Sequence, residues 1–130
     1  MNYGNRLLFL ILILSFTLLV GCSKIKNFHY DLYDNYSIKA IDNKIKLYKN
    51  DNVVDIYELD YKIKEFKYNS DVVCLKLANG DYYMIYYFDT SIYGPFDKET
   101  LDSTINADST MTFDMDFKDI LKADVVYDEK

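Results

Sequence analysis

Two hydrophobic patterns divide the chain. Leu7–Val20 is an apolar run broken only by Ser15 and Thr17, and it closes on Gly21-Cys22. From Tyr36 onward the apolar positions recur instead at a period close to two, which places alternate side chains on one face of a strand. Tyr36, Ile38 and Ala40 alternate with Ser37 and Lys39, and Asp42-Asn43 supplies a two-residue turn. Ile45 and Leu47 then share a face opposite Lys44, Lys46 and Tyr48, and Asn50-Asp51-Asn52 turns the chain again. Val53–Leu59 separates its faces poorly, which predicts a weak or edge strand.

The stretch 61–93 carries the strongest strand signals. Ile63 lies on one parity and Phe66 and Tyr68 on the other, a phase slip of the kind a β-bulge produces. Asn69-Ser70-Asp71 is a turn, and Val73, Leu75 and Leu77 line one face of the strand after it. Asn79-Gly80 is the clearest hairpin signal in the chain. Tyr82–Phe88 is aromatic or apolar on both parities, which predicts a central strand covered on both faces. Asp89-Thr90-Ser91 leads to a short return strand at Ile92-Tyr93, and Gly94-Pro95 is expected to end the sheet. The turn spacing predicts a mainly β fold: over residues 36–93, an antiparallel meander of about five to seven strands.

After Pro95 the period changes. Asp97 is placed to cap a short helix whose buried positions are Leu101 and Ile105, four residues apart. Residues 106–110 read as loop. Met111, Phe113, Met115 and Phe117 alternate with polar residues as a last strand would. Alternatively, Phe117, Ile120 and Leu121 begin a second short helix through Ala123. One or two short C-terminal helices are therefore expected, with 127–130 a frayed tail.

The N-terminal run has a different logic. A short polar start, Met1–Arg6, precedes the apolar stretch, and a small residue follows it, the layout of a secretory signal peptide. Fourteen residues make a helix of about 21 Å. A transmembrane helix needs roughly 20 residues for a hydrocarbon core of about 30 Å. Leu19-Val20-Gly21-Cys22 resembles the lipobox of bacterial lipoprotein precursors. That resemblance implies cleavage between Gly21 and Cys22, with a diacylglyceryl lipid on the Cys22 sulfur. One acyl chain anchors a protein only marginally, whereas two on one residue hold it stably. The expected organisation is a cleaved signal helix over 1–21, a lipidated tether over 22–35, one small β-rich domain over 36–126 and the tail. The domain would face the extracytoplasmic side of the cell membrane, with that membrane as its first partner and an envelope protein as a possible second.

Charge narrows the partners. Arg6 is the only arginine, so residues 22–130 carry 14 lysines against 21 acidic residues. Nucleic acid, which demands clustered cations, is disfavoured, and so is adhesion to anionic lipid headgroups without the lipid anchor. With Cys22 acylated, Cys74 has no disulfide partner. It sits in the apolar run Val72–Leu77 and is expected to be a buried, inert thiol.

Catalytic chemistry finds little footing. His29 is the only histidine and lies in the tether, so neither a hydrolase triad nor a histidine-based metal site has its parts. Gly80 and Gly94 stand alone rather than in a phosphate-binding loop. Asp114 and Asp116 are the acids an envelope enzyme would use, with Asp119 a further carboxylate close by in sequence, but Met115 occupies the place where a calcium loop would turn. No cofactor or metal is expected. The tyrosines of Tyr82–Phe88 form either a ligand platform or a surface packed under the C-terminal segment.

The segments Tyr30-Asp31-Leu32 before Asn35-Tyr36, Ile63–Tyr68, and Tyr83–Asp89 followed by Ile92-Tyr93-Gly94-Pro95-Phe96 resemble a family of small lipoproteins of Gram-positive bacteria. That family is built on a compact β domain of unknown function. The resemblance implies a lipidated β domain and no functional residue beyond Cys22. The functional expectation is a non-catalytic binding or interaction module. The alternatives are a structural envelope lipoprotein and an enzyme using Asp114 and Asp116.

Overall fold

A computed structural model describes residues 28–120. The signal run, Gly21 and Cys22, and the tail at 127–130 lie outside the described residues.

Paired left-handed residues make most of the tight turns in the first half. Positive φ occurs at Asp34 and Asn35, Asp42 and Asn43, Asn50 and Asp51, and Tyr57 and Glu58. The first three pairs are Asp and Asn, whose short polar side chains tolerate this region best after glycine. Both central residues at positive φ give a turn whose twist matches that of paired strands. These turns connect β1 (Phe28–Asp31), β2 (Tyr36–Ile41), β3 (Lys44–Lys49) and β4 (Asn52–Val53) into an antiparallel sheet of order β1-β2-β3-β4. Ile41 pairs with Lys44 across the Asp42-Asn43 turn, as the alternation requires.

The second sheet holds β5 (Ile63–Tyr68), β6 (Val72–Leu77), β7 (Tyr82–Tyr86), β8 (Ser91–Phe96) and β9 (Lys118–Asp119), in the order β8-β7-β6-β5-β9. The register of β5 on β6 slips between Ile63 and Glu65, where the sequence changes parity. The Asn79-Gly80 hairpin closes with the Gly80 amide on Leu77 O at 3.0 Å and the Leu77 amide on Asp81 O at 2.8 Å. Gly80 takes the left-handed position at φ 95°, so the loop has three residues with glycine at its bulge.

Alternation on β6 and β7 builds two cores. Val73, Leu75, Leu77, Tyr83, Ile85 and Tyr87 face the first sheet and pack with Ile38, Ile45, Leu47 and Phe66. Val72, Cys74, Tyr82 and Met84 face the other way, against Leu101 and Ile105 of α1 (Lys98–Ala107). Asp97 caps that helix by accepting from the Thr100 amide at 2.7 Å. Residues 111–117 finish the cover. Phe113 and Phe117 lie under Lys67 at 4.7 and 4.9 Å, and Phe117 meets the Tyr82 ring edge-on at 5.5 Å. The molecule thus has three layers: sheet, sheet, then helix with an irregular strap.

Several expectations are corrected. The mainly β, antiparallel character holds, but the strands form two packed sheets rather than one meander, because both faces of β6 and β7 are apolar and each needs a cover. Phe28–Asp31, within the stretch assigned to the tether, is an edge strand paired with β2 from Phe28↔Ala40 to Asp31↔Ser37. Gly94-Pro95 lies inside β8 rather than ending it. The Gly94–Pro95 peptide is cis, and the register of β8 on β7 shifts between Tyr82 and Met84. Met111–Phe117 is no strand. Its apolar residues cap the second core, and only Lys118–Asp119 pairs, with Phe66 and Glu65 of β5. Among the described residues α1 is the one helix, and no helix there is long and apolar enough to cross a membrane.

Candidate functional site

One end of the sandwich gathers the turns between strands of both sheets. The β1–β2 turn contributes Asp34, the β5–β6 turn Asn69 to Asp71, the end of β7 Tyr86 to Phe88, and the stretch after α1 Asp108, Thr110 and Met111. Together they enclose a cleft of about 370 Å³. Loops held at one end of a rigid sandwich are where such folds ordinarily place recognition.

Local bonds set each loop. Asn69 Oδ1 accepts from the amides of Asp71 and Val72 at 2.8 and 2.9 Å, and its Nδ2 donates to Thr112 O at 3.0 Å. Asp71 is held from its other side, its carbonyl accepting from the Tyr87 amide at 3.1 Å. Asp108 Oδ1 accepts from the hydroxyl and the amide of Thr110, which keeps its carboxyl below the usual carboxylate range and therefore charged. On the sheet side, the Tyr36 hydroxyl and the Lys49 ammonium both reach Thr90 Oγ1, tying β2 and β3 to the β7–β8 turn.

Aromatic rings dominate this end. Tyr36 and Tyr33 lie 5.1 and 6.2 Å from Tyr87, and Tyr30 and Tyr68 share a hydroxyl–hydroxyl bond of 3.0 Å. The Tyr87 hydroxyl is buried with no partner among the described residues, and burial pushes its pKa up. Phe88, one residue further, is 94% exposed on the rim of the cleft, and Tyr33 is 47% exposed nearby. Three aspartates line the cleft, and among the described residues no lysine, arginine or histidine does.

The residues singled out from sequence are placed elsewhere. Asp114 and Asp116 are exposed and do not line the cleft; Asp116 Oδ1 accepts from the Phe117 amide at 2.9 Å. His29 sits in β1, its Nε2 2.6 Å from Asp31. Cys74 is fully buried, and burial pushes its thiol up to about 12. Among the described residues no group of three or more His, Cys, Asp or Glu could hold a metal ion. The second face of β7 is covered by the helix layer, so Tyr82 is a packing residue rather than part of a platform. Sequence reading missed the cleft. Phe88 looked like the last strand residue, and Asp34, Asp71 and Asp108 are single acids in three separate turns that only the fold unites.

Comparison with protein-family models, with curated proteins and with solved structures finds no match.

Proposed function

We propose that this chain is an extracytoplasmic lipoprotein, anchored through Cys22, whose β domain is a non-catalytic binding module. The observation that carries the proposal is the run Leu7–Val20, too short to span a bilayer, closing on Gly21-Cys22. The resemblance to small Gram-positive lipoproteins points the same way. The fold adds a direction. β1 begins at Phe28, six residues after Cys22, a tether of about 20 Å when extended. From there β1 runs toward the cleft, and β9, antiparallel to β5, runs away from it. The described chain therefore starts and finishes at the end opposite the cleft. A membrane-tethered domain would present these loops outward, with the cleft and the exposed Phe88 among them.

Replacing Cys22 with Ser tests the anchor. Wild-type protein should partition into detergent and label with a palmitate analogue. Cys22→Ser should remain an uncleaved precursor or be shed to the medium, with a mature domain of normal melting temperature. Cys22→Ser protein that is still cleaved after Gly21, stays in the membrane fraction and labels as before would refute the anchor.

A further inference from the structure

We propose that the cleft end docks a lysine- or arginine-bearing segment of a partner polypeptide. This rests on the binding-module reading, but not on the anchor. Three observations select the occupant. Asp34, Asp71 and Asp108 line the cleft with no basic residue among its described walls, so these walls would repel a carboxylate or phosphate ligand. The carboxylates do not form a metal cage, as no described group of three or more metal-ligating residues is placed to hold an ion. A cation carried on a side chain is the remaining complement. Phe88, 94% exposed beside these acids, offers a ring face to an ammonium or guanidinium and an apolar surface to the methylenes that carry it.

The volume agrees. At about 370 Å³ the cleft is large enough for one long side chain and part of its backbone, and it lies at the lower end of the usual range for ligand sites. The position agrees too, since the described chain enters and leaves at the far end and leaves the cleft unobstructed by its own strands. Tyr86 and Tyr87 also line the cleft, and burial holds both phenols protonated, so neither adds charge to the three acids.

The test uses the full-length protein in a neutral detergent and a fluorescent tetralysine peptide, read by anisotropy. Asp34→Asn combined with Asp71→Asn should weaken tetralysine binding by about tenfold. Phe88→Ala should weaken it by about threefold, the size of an exposed cation–π contact. Asp114→Asn with Asp116→Asn removes the same charge from outside the cleft and should change affinity little. Equal losses in the two double variants would reduce the effect to net charge and overturn the proposal. So would absence of tetralysine binding. Phe88-dependent binding of neutral chitotetraose in place of tetralysine would also overturn it, while preserving the binding-module reading with a glycan as ligand. None of these outcomes depends on Cys22, so failure here and failure of the anchor are separable.

Discussion

The two faces of β6 and β7 are made by the same strands and end in different cores. Between the sheets, Val73, Leu75, Leu77, Tyr83 and Ile85 meet buried side chains of β2, β3 and β5, with Tyr30 of β1 and Ile92 of β8 at the margin. Toward the helix, Val72, Cys74, Tyr82 and Met84 meet, among the described residues, Leu101 and Ile105 and the partly buried Tyr86, Phe96, Met111, Phe113 and Phe117. The first core is rigid because each layer is a hydrogen-bonded sheet. The second is covered by one ten-residue helix, capped at Asp97, and by a strap without regular structure. A helix this short draws its stability from the face it packs, not from itself. One pair of strands can therefore carry a core that opens only with global unfolding and another that opens locally.

The sharpest way to break this comparison is to empty each core in turn. Phe66→Ala, between the sheets, should cost about 3–5 kcal/mol, because the facing sheets cannot close over the void. Leu101→Ala should cost about 2–4 kcal/mol, since α1 can settle toward the gap. The second variant should also expose Cys74. In a Cys22→Ser background, where Cys74 is the one thiol, iodoacetamide should react slowly with the native protein near neutral pH, because burial keeps the thiol protonated up to about 12. Leu101→Ala should accelerate that alkylation well beyond what its loss of global stability explains. Equal acceleration by Phe66→Ala at matched stability would mean that the two cores open together.

Smaller effects sharpen the picture. Gly94 and Gly80 both have positive φ, but a Cβ at Gly94 would lie 2.7 Å from Tyr82 O and from Tyr83 Cδ1, whereas nothing lies within 4 Å at Gly80. Gly94→Ala should thus combine strain with a clash at the inter-sheet core and cost about 1–3 kcal/mol in a urea melt. Gly80→Val carries the left-handed strain alone, on the order of 1 kcal/mol. An unchanged midpoint for Gly94→Ala would show that β8 can slide away from Tyr83.

The least effect belongs to the helix cap. The Thr100 hydrogen bonds hold the Asp97 carboxyl below its usual range. A depressed carboxyl stabilises the fold above the unfolded-state value of about 3.9, and that contribution disappears as pH falls through the folded value. Asp97→Ala should therefore lower the melting temperature at pH 7, and the gap should close as the pH falls below about 4. A gap that persists in acid would mean the cap acts through something other than charge.

Alternation and turn chemistry made much of the fold legible. Asp42-Asn43, Asn79-Gly80, the bulge after Ile63 and the Asp97 cap could each be read locally, because each is decided within a few residues. The division into two sheets was not, since the apolar residues on both parities of Val72–Leu77 and Tyr82–Phe88 say that both faces are covered but not by what. Phe28–Asp31 was missed because a four-residue strand at an edge has no pattern to distinguish it from a tether. Met111–Phe117 misled for a physical reason: apolar residues every second position serve a strap lying on a sheet as well as a strand within one. The candidate cleft was illegible because its acids come from three turns joined only by the sandwich.

The path of β1 has a mechanical meaning. Tension applied ahead of Phe28 and resisted at the cleft would run along the strand, parallel to its four-residue pairing with β2. Its bonds to Ser37–Ala40 would then bear load together, in shear, rather than peel away one at a time. The Tyr30 ring, 5.0 Å from Phe66, pins the same strand to the second sheet and spreads the load across both layers. A short edge strand, a weak element in thermodynamic terms, is thus oriented to act as the domain's strain relief against pulling from its N-terminal side.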